Sequence, residues 1–287
     1  MFVTRLISGI VLLVLTAVFV TLGGIPLLVA LEVTSVAGFL ELTKAVGIKR
    51  DAKGINFLEM IGIIGIICMY ACQIFFVIQG EAVDVVYLLA ITVFTIIGLL
   101  AAYVIMFPKY DAKQIVEVVF AFMYVPVMLS FIGMTRALPE IGSRVVWMIW
   151  ISAWGSDTFA YCVGMLTGKT IGKHKAFPVL SPKKSIEGCI GGIVGAALLG
   201  MFFGKFIMGS DYGTIMMGVI CGIGSVIAQC GDLAASAIKR NYHIKDYGKC
   251  IPGHGGILDR FDSIIFTAPC IYFLIYFFLD IRYVFTW

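Results

Sequence analysis

A chain of 287 residues that is 61% hydrophobic and only 13% charged, with a mean hydropathy of +1.03, is too apolar for a water-soluble domain. Composition therefore excludes a soluble globular enzyme and predicts an all-α, polytopic integral membrane protein. The formal charge of +4 is small, so where the charges lie carries more information than their sum.

A membrane-crossing helix needs roughly 20 apolar residues. In chain order, nine stretches qualify: 6–22, 26–42, 57–78, 84–107, 114–135, 144–166, 186–207, 213–235 and 262–279. The first resembles a signal peptide, but no small-residue cleavage site follows it, so it is read as a helix. The second is the weakest, being short and carrying Glu32 and Glu41, and a tilted or re-entrant course is the alternative for it. Seven of the eight cysteines fall in apolar runs and read as small buried hydrophobes, and only Cys250 sits in a polar loop.

Basic residues orient the spans. With the N-terminus in the cytoplasm, that side holds Arg5, Lys44, Lys49, Arg50, Lys53, Lys109, Lys113, Lys169, Lys173, Lys175, Lys183, Lys184, Lys239, Arg240, Lys245, Lys249 and Arg260, which is 17 of the 21. Arg136, Arg144, Lys205 and Arg282 remain opposite. Such a bias is the positive-inside pattern, and it supports an odd number of spans. Two cytoplasmic loops, about 167–185 and 236–261, are long and polar, which concentrates chemistry in the C-terminal half. The expected organisation is residues 1–140 as anchoring helices, with a role in a lipid path or dimer contacts, and 141–287 as a catalytic membrane domain.

Carboxylates within apolar runs are costly and mark candidate sites. Asp157 lies in SDTFAYCVG with Tyr161 four residues on, and Asp232 lies in QCGDLAAS with Ser236 one turn later. Glu32, Glu59 and Glu117 lie nearer span ends, where snorkelling or pairing with lysines explains them. Glycines of spans seven and eight, Gly188, Gly191, Gly192, Gly195, Gly200, Gly218, Gly222 and Gly224, read as close-packing positions.

The last cytoplasmic loop offers the cations Lys239, Arg240, Lys245, Lys249 and Arg260 beside the carboxylates Asp246, Asp259 and Asp262. Mg²⁺ takes one or two carboxylates plus phosphate oxygens, and Lys or Arg neutralises the rest. Gly255 and Gly256 would let backbone N–H groups reach phosphate. The plainer alternatives are a helix-dipole role for Asp259 or Asp262, a membrane-flank role for the lysines and a turn-forming role for His254. Ser236 and Lys239 match a Ser-x-x-Lys nucleophile pattern by chance. In the other loop, Ser181-Pro182 is expected to start a helix, with Lys183 and Lys184 beside its free N–H groups and a bound anion there.

The run from Ser236 through Lys239, Arg240, Lys245 and Asp246 to Pro252-Gly-His-Gly-Gly-Ile-Leu-Asp-Arg-Phe-Asp262 resembles the signature of the phosphatidate cytidylyltransferases, also called CDP-diacylglycerol synthases. SDTFAYCVG and LSPKKSIEG resemble that family's upstream motifs in the same order, with Ser185 where threonine is usual. The resemblance is strong over about 152–263. It implies conversion of CTP and phosphatidate to CDP-diacylglycerol and pyrophosphate, with Mg²⁺ and a monovalent cation such as K⁺.

By that resemblance Asp232 and Asp259 would bind metal, with Asp246 a further candidate, and Lys239 and Arg260 would join them as catalytic groups. Lys184, Ser236, Arg240, Lys245, Gly255, Gly256, Asp157 and Tyr161 would contact substrates. The implied partners are CTP, phosphatidate and the lipid bilayer, with a homodimer suggested by the family and the glycine faces and no nucleic acid. The implied location is the cytoplasmic membrane, with the site facing the cytoplasm. Alternatives are a related CTP-dependent lipid transferase or kinase acting on a prenyl or archaeal lipid, and a transporter. Against the transporter, polar residues gather at one face and no inverted repeat is evident.

Overall fold

The computed structural model describes residues 2–48, 54–170, 174–208, 211–253 and 255–278. Its helices are α1 (Phe2–Leu22), α2 (Gly24–Ala45), α3 (Phe57–Gln79), α4 (Val85–Ile105), α5 (Ala112–Phe122), α6 (Met128–Arg136), α7 (Gly142–Val145), α8 (Trp147–Trp150), α9 (Ser156–Thr170), α10 (Ile186–Met208), α11 (Asp211–Asn241) and α12 (Leu258–Phe278). The all-α membrane architecture is present. Seven helical runs are long and apolar enough to cross a bilayer among the described residues, with α5 and α6 acting as one run, Ala112–Arg136.

The other two expected spans are helical but do not meet that standard. The apolar part of α1, Leu6–Leu22, is shorter, and the sixth stretch is broken into short segments. Wide π-turns interrupt two runs, Met123–Val127 between α5 and α6 and Ile151–Gly155 between α8 and α9. The first contains Pro126, which removes a backbone donor and displaces the preceding carbonyl, so the helix widens there. The second has no proline and lies immediately before Ser156 and Asp157.

The weak second stretch is one helix of 22 residues, neither short nor re-entrant. Local chemistry fixes several starts. Asn56 and Glu59 form a reciprocal capping box for α3, Asp111 and Gln114 do so for α5, and Asp84 caps α4 through Val86 N–H. Glu59 is fully buried and also accepts from the Thr43 hydroxyl at 2.6 Å, so it caps a helix and does not snorkel to the membrane edge as its position near a span end had suggested.

Three expectations are corrected. Residues 175–185 form an antiparallel hairpin of β1 (Lys175–Phe177) and β2 (Ser181–Ser185), so Ser181-Pro182 does not start a helix. The cap is Ser185, whose Oγ accepts from Gly188 N–H at 3.1 Å, leaving Pro182 in a strand whose missing donor costs little at a two-stranded edge. Second, α11 runs six residues past its apolar stretch to Asn241, because Ser-Ala-Ile-Lys-Arg continues the helix comfortably beyond the apolar zone. Third, α12 begins at Leu258, earlier than hydropathy implied, so Asp259, Arg260 and Asp262 all lie in its first turns.

The chain divides into two compact units, Met1–Glu140 with Tyr242–Phe261, and Ile141–Asn241 with Asp262–Trp287. The glycine-rich segment belongs to the same unit as the N-terminal helices. In the second unit α10 lies against α9 and α11 through glycines. A Cβ on Gly192 would sit 2.8 Å from the Ser156 carbonyl oxygen, and one on Gly188 would sit 2.9 Å from that of Ala160. Substituting Gly192 by Leu should lower the thermal midpoint of the detergent-solubilised protein, a destabilisation of about 1–3 kcal/mol. Gly222→Ala, whose Cβ would rest 3.5 Å from Ala197 Cβ, should leave it nearly unchanged.

Candidate active site

In the second unit, a cavity of about 610 Å³ is lined by Asp157, Ala160, Tyr161, Gly164 and Met165 of α9, by Pro182–Ser185 of β2, by Gly188 and Cys189 of α10 and by Gln229 of α11. Asp157, Tyr161 and Lys184, separated by up to 27 positions in sequence, are thus brought to one cavity. The reason is geometric: the β-hairpin returns the chain so that β2 leads directly into α10, which packs on α9.

Behind the lining residue Gln229 lies a buried polar network. Ser225 Oγ donates to Ser156 Oγ at 2.8 Å, and the Gln229 amide donates to Ser156 Oγ at 3.2 Å and to the Cys189 carbonyl at 3.1 Å. These bonds tie α9, α10 and α11 together beneath Asp157. Sequence reasoning missed Gln229, Ser156 and Ser225, although all three are polar residues in apolar runs and could have been flagged on that ground alone.

Lys184 Nζ lies 2.5 Å from Asp232 Oδ2, with side chains 22% and 29% exposed. This contact ties a predicted substrate residue to a predicted metal ligand. Its consequence is that the Asp232 side chain is aimed toward the hairpin. Because α11 continues to Asn241, Asp232, Ser236, Lys239 and Arg240 follow one another at helical spacings of four, three and one, on one side of the helix. At Gly231 the helix passes against α12, where a Cβ would come within 2.9 Å of the Asp262 carbonyl oxygen and of Phe266 Cβ.

The first unit holds Lys245, Asp246, Gly255, Gly256, Asp259 and Arg260. Asp259 is 6% exposed, and its Oδ2 accepts from Tyr247 N–H at 2.8 Å and Gly256 N–H at 3.0 Å. Gly255 has φ of +86°, and a Cβ there would meet Asp259 Oδ2 at 2.9 Å and Asp246 Oδ1 at 3.4 Å, so only glycine fits between these two carboxylates. Asp246 and Lys245 are exposed. The Nε of Arg260 is buried without a hydrogen-bond partner among the described residues. His254 lies outside the described residues.

Glu41 of α2, noted in sequence only as a reason to doubt its span, accepts from Ile257 N–H at 3.1 Å and Leu258 N–H at 2.9 Å. Those are donors at the start of α12, 216 and 217 residues away. No spacing rule reaches that far. Tyr242 opens the segment by donating to Glu117 at 3.0 Å, and burial followed by that carboxylate raises its phenol above the ordinary value, which keeps it a donor.

A model of the cytidylyltransferase family matches residues 3–278. The chain belongs to the cytidylyltransferase family. The phosphatidate cytidylyltransferase of Bacillus subtilis (strain 168) is 29% identical over 271 residues, spanning 94% of this chain and 96% of the relative. That of Staphylococcus epidermidis (strain ATCC 12228 / FDA PCI 1200) is 31% identical over 229 residues, spanning 79% and 84%. That of Staphylococcus aureus (strain COL) is 40% identical over 152 residues, spanning 53% and 55%.

As a cytidylyltransferase the chain carries its acidic residues in two sets. Asp157 and Asp232 belong to the second unit, and Asp246 and Asp259 to the first. Among the described residues no group of three or more His, Cys, Asp or Glu could hold a metal. All eight cysteines are free, but of the seven read as buried hydrophobes only Cys221 is buried, with Cys72, Cys189 and Cys270 half-buried and Cys68, Cys162 and Cys230 exposed on their helices. The Lys184–Asp232 pair is directly testable. Lys184→Gln and Asp232→Asn should each destabilise the protein, while the double variant loses less than their sum, with a coupling of about 0.5–3 kcal/mol in thermal or denaturant unfolding.

Proposed function

We propose that the chain transfers the cytidylyl group of CTP to phosphatidate, giving CDP-diacylglycerol and pyrophosphate at the cytoplasmic face of the membrane. The observation that carries this reading is the cavity in which Asp157, Tyr161 and Lys184 meet, with Lys184 paired to Asp232, in a member of the cytidylyltransferase family. The names of the relatives support the substrates. The excess of basic residues beside the polar loops supports the cytoplasmic face.

A phosphatidate oxygen attacks the α-phosphorus of CTP. The bond from that phosphorus to the α,β-bridging oxygen breaks, and its electron pair leaves on pyrophosphate. The nucleophile is already ionised at neutral pH, so no general base is required and His254 has no necessary role. The barrier is repulsion between two anions and charge growing on the leaving group. Lysine and arginine answer both by position and charge.

Lys184 would meet a substrate phosphate at the cavity wall. By the family resemblance Lys239, Arg240, Lys245 and Arg260 would neutralise charge on the triphosphate and on the leaving pyrophosphate. Asp157 and Tyr161, together with Ser236, would orient substrate through hydrogen bonds. Gly255 and Gly256, substrate contacts by the resemblance, instead make room for the carboxylates of Asp259, Asp246 and Glu41.

Magnesium fits the donor set. Asp246 and Asp259 offer hard oxygen ligands on either side of Gly255, and Mg²⁺ characteristically takes one or two carboxylates plus phosphate oxygens. Asp246 and Asp259 would hold it, and Asp232 is a ligand by the family resemblance alone. When bound, it would neutralise triphosphate charge and polarise the α-phosphate. The same reading includes a monovalent cation such as K⁺, carried by the family resemblance alone, and a homodimer, carried by that resemblance and the glycine faces.

Purified protein in mixed micelles should release pyrophosphate from CTP only when both phosphatidate and Mg²⁺ are present. Asp232→Asn and Asp259→Asn should each cut that rate by roughly 100-fold or more, and full activity in both would overturn the assignment of these carboxylates. A phosphomonoester has its second pKa near about 6. The rate at limiting phosphatidate should therefore climb as pH rises through that value and then stay level to about pH 9. A falling limb near neutrality would instead indicate an essential protonated side chain.

A further inference from the structure

We infer that Glu41 of α2 is a positioning residue for the reaction. Its carboxylate clamps the glycine-rich segment and sets where Asp259 and Arg260 stand. The inference rests on the cytidylyl-transfer reading above and gives the N-terminal helices a task that anchoring does not.

The geometry is that of a helix cap supplied from elsewhere in the chain. The residue before α12 is Ile257, which has no side-chain acceptor, so the helix cannot cap itself at that position. The two oxygens of Glu41 take the N–H groups of Ile257 and Leu258 at 3.1 and 2.9 Å. A negative charge at a helix N-terminus is favoured there by both the orphan donors and the helix dipole. Asp259, one residue further on, then bonds outward to Tyr247 and Gly256 N–H.

The segment is built around that carboxylate. A Cβ on Gly256 would lie 2.4 Å from Glu41 Oε2, and one on Gly248 would lie within 2.2 Å of Glu41 Oε1. Both glycines are thus required by close approach to Glu41, independently of any substrate. The two Glu41 oxygens and Asp259 Oδ2 together hold four backbone donors of one short segment: Tyr247, Gly256, Ile257 and Leu258. A neutral amide at position 41 would present one acceptor and one donor to two N–H groups, so one contact becomes repulsive.

The test compares wild type with Glu41→Gln, Glu41→Asp and Gly256→Ala in detergent, with Glu32→Gln as a control carboxylate on the same helix. In Glu41→Gln, kcat for pyrophosphate release should fall by roughly 10–100-fold. KM for phosphatidate and the thermal midpoint should stay near wild type. Amide hydrogen exchange of a peptide covering 255–259, measured without CTP or metal, should speed up in parallel, while Glu32→Gln matches wild type in all of these.

Glu41→Asp keeps the charge but lacks the reach for both donors, and should lie between wild type and Glu41→Gln. Gly256→Ala should reproduce Glu41→Gln, and the double variant should be little worse than either alone. Wild-type kcat and wild-type exchange in Glu41→Gln would overturn the inference. So would a fall in stability with unchanged kcat per folded molecule, which would assign Glu41 to folding only. If Glu41→Gln does not fold, the kcat and exchange of Gly256→Ala decide by the same criteria. A wild-type protein inactive toward CTP and phosphatidate would sink the functional reading, while the exchange comparison would still judge the clamp.

Discussion

Backbone donors that leave helical geometry near a bilayer have to find acceptors, and this constraint organises the polar half of the protein. Between α11 and α12 the chain makes a segment rich in glycine, with little regular structure and a helix start that cannot cap itself. Two carboxylates answer for it: Asp259 from within the segment and Glu41 from a helix more than 200 residues earlier. Without them, four N–H groups would be left competing for water at the edge of an apolar body. The glycines follow as a consequence, since side chains at 248, 255 or 256 would occupy the space the carboxylates need.

A related balance governs the second unit. Asp232 and Lys184 are each only partly exposed, and either alone would carry a desolvation cost with little return. Paired at 2.5 Å they offset that cost by charge attraction, while Lys184 Nζ makes no hydrogen bond among the described residues. The hydroxyl and amide bonds among Ser156, Ser225, Gln229 and the Cys189 carbonyl do the corresponding work for neutral groups, and they hold three helices in register below Asp157. Chemistry with two anionic substrates needs concentrated cationic charge, and folding tolerates it only where such counter-groups are built in.

How far the sequence reveals this depends on the range of the physics involved. Apolar length marks spans reliably, so α3, α4 and α10 lie within a residue or two of the stretches read from hydropathy. It marks their ends poorly where helices continue into water: α11 reaches Asn241 because helix propensity, unlike hydropathy, does not change at Ala235. Local turn chemistry was legible in kind but misplaced in position, since both Ser181 and Ser185 are plausible caps and the hairpin decides between them. Asp157, Tyr161 and Lys184 were legible as candidates because charge and polarity are rare in such a chain, and the structure explains their company. Glu41 was invisible as a functional residue, because its partners are backbone N–H groups far along the chain and carry no side-chain signature at all.

The contrast between Glu41 and His254 shows what residue type alone can mislead about. A histidine among glycines invites a catalytic reading, yet an ionised phosphate nucleophile removes the need for a base. A glutamate near the end of a span invites a snorkelling or pairing reading, yet at Glu41 the donors it meets are those of a helix start. In a site whose work is charge placement, the residues that fix the backbone beneath the charges matter as much as the charges themselves. A carboxylate buried against main-chain N–H groups is well suited to that task, because it holds two donors at once and cannot rotate away without leaving both unsatisfied.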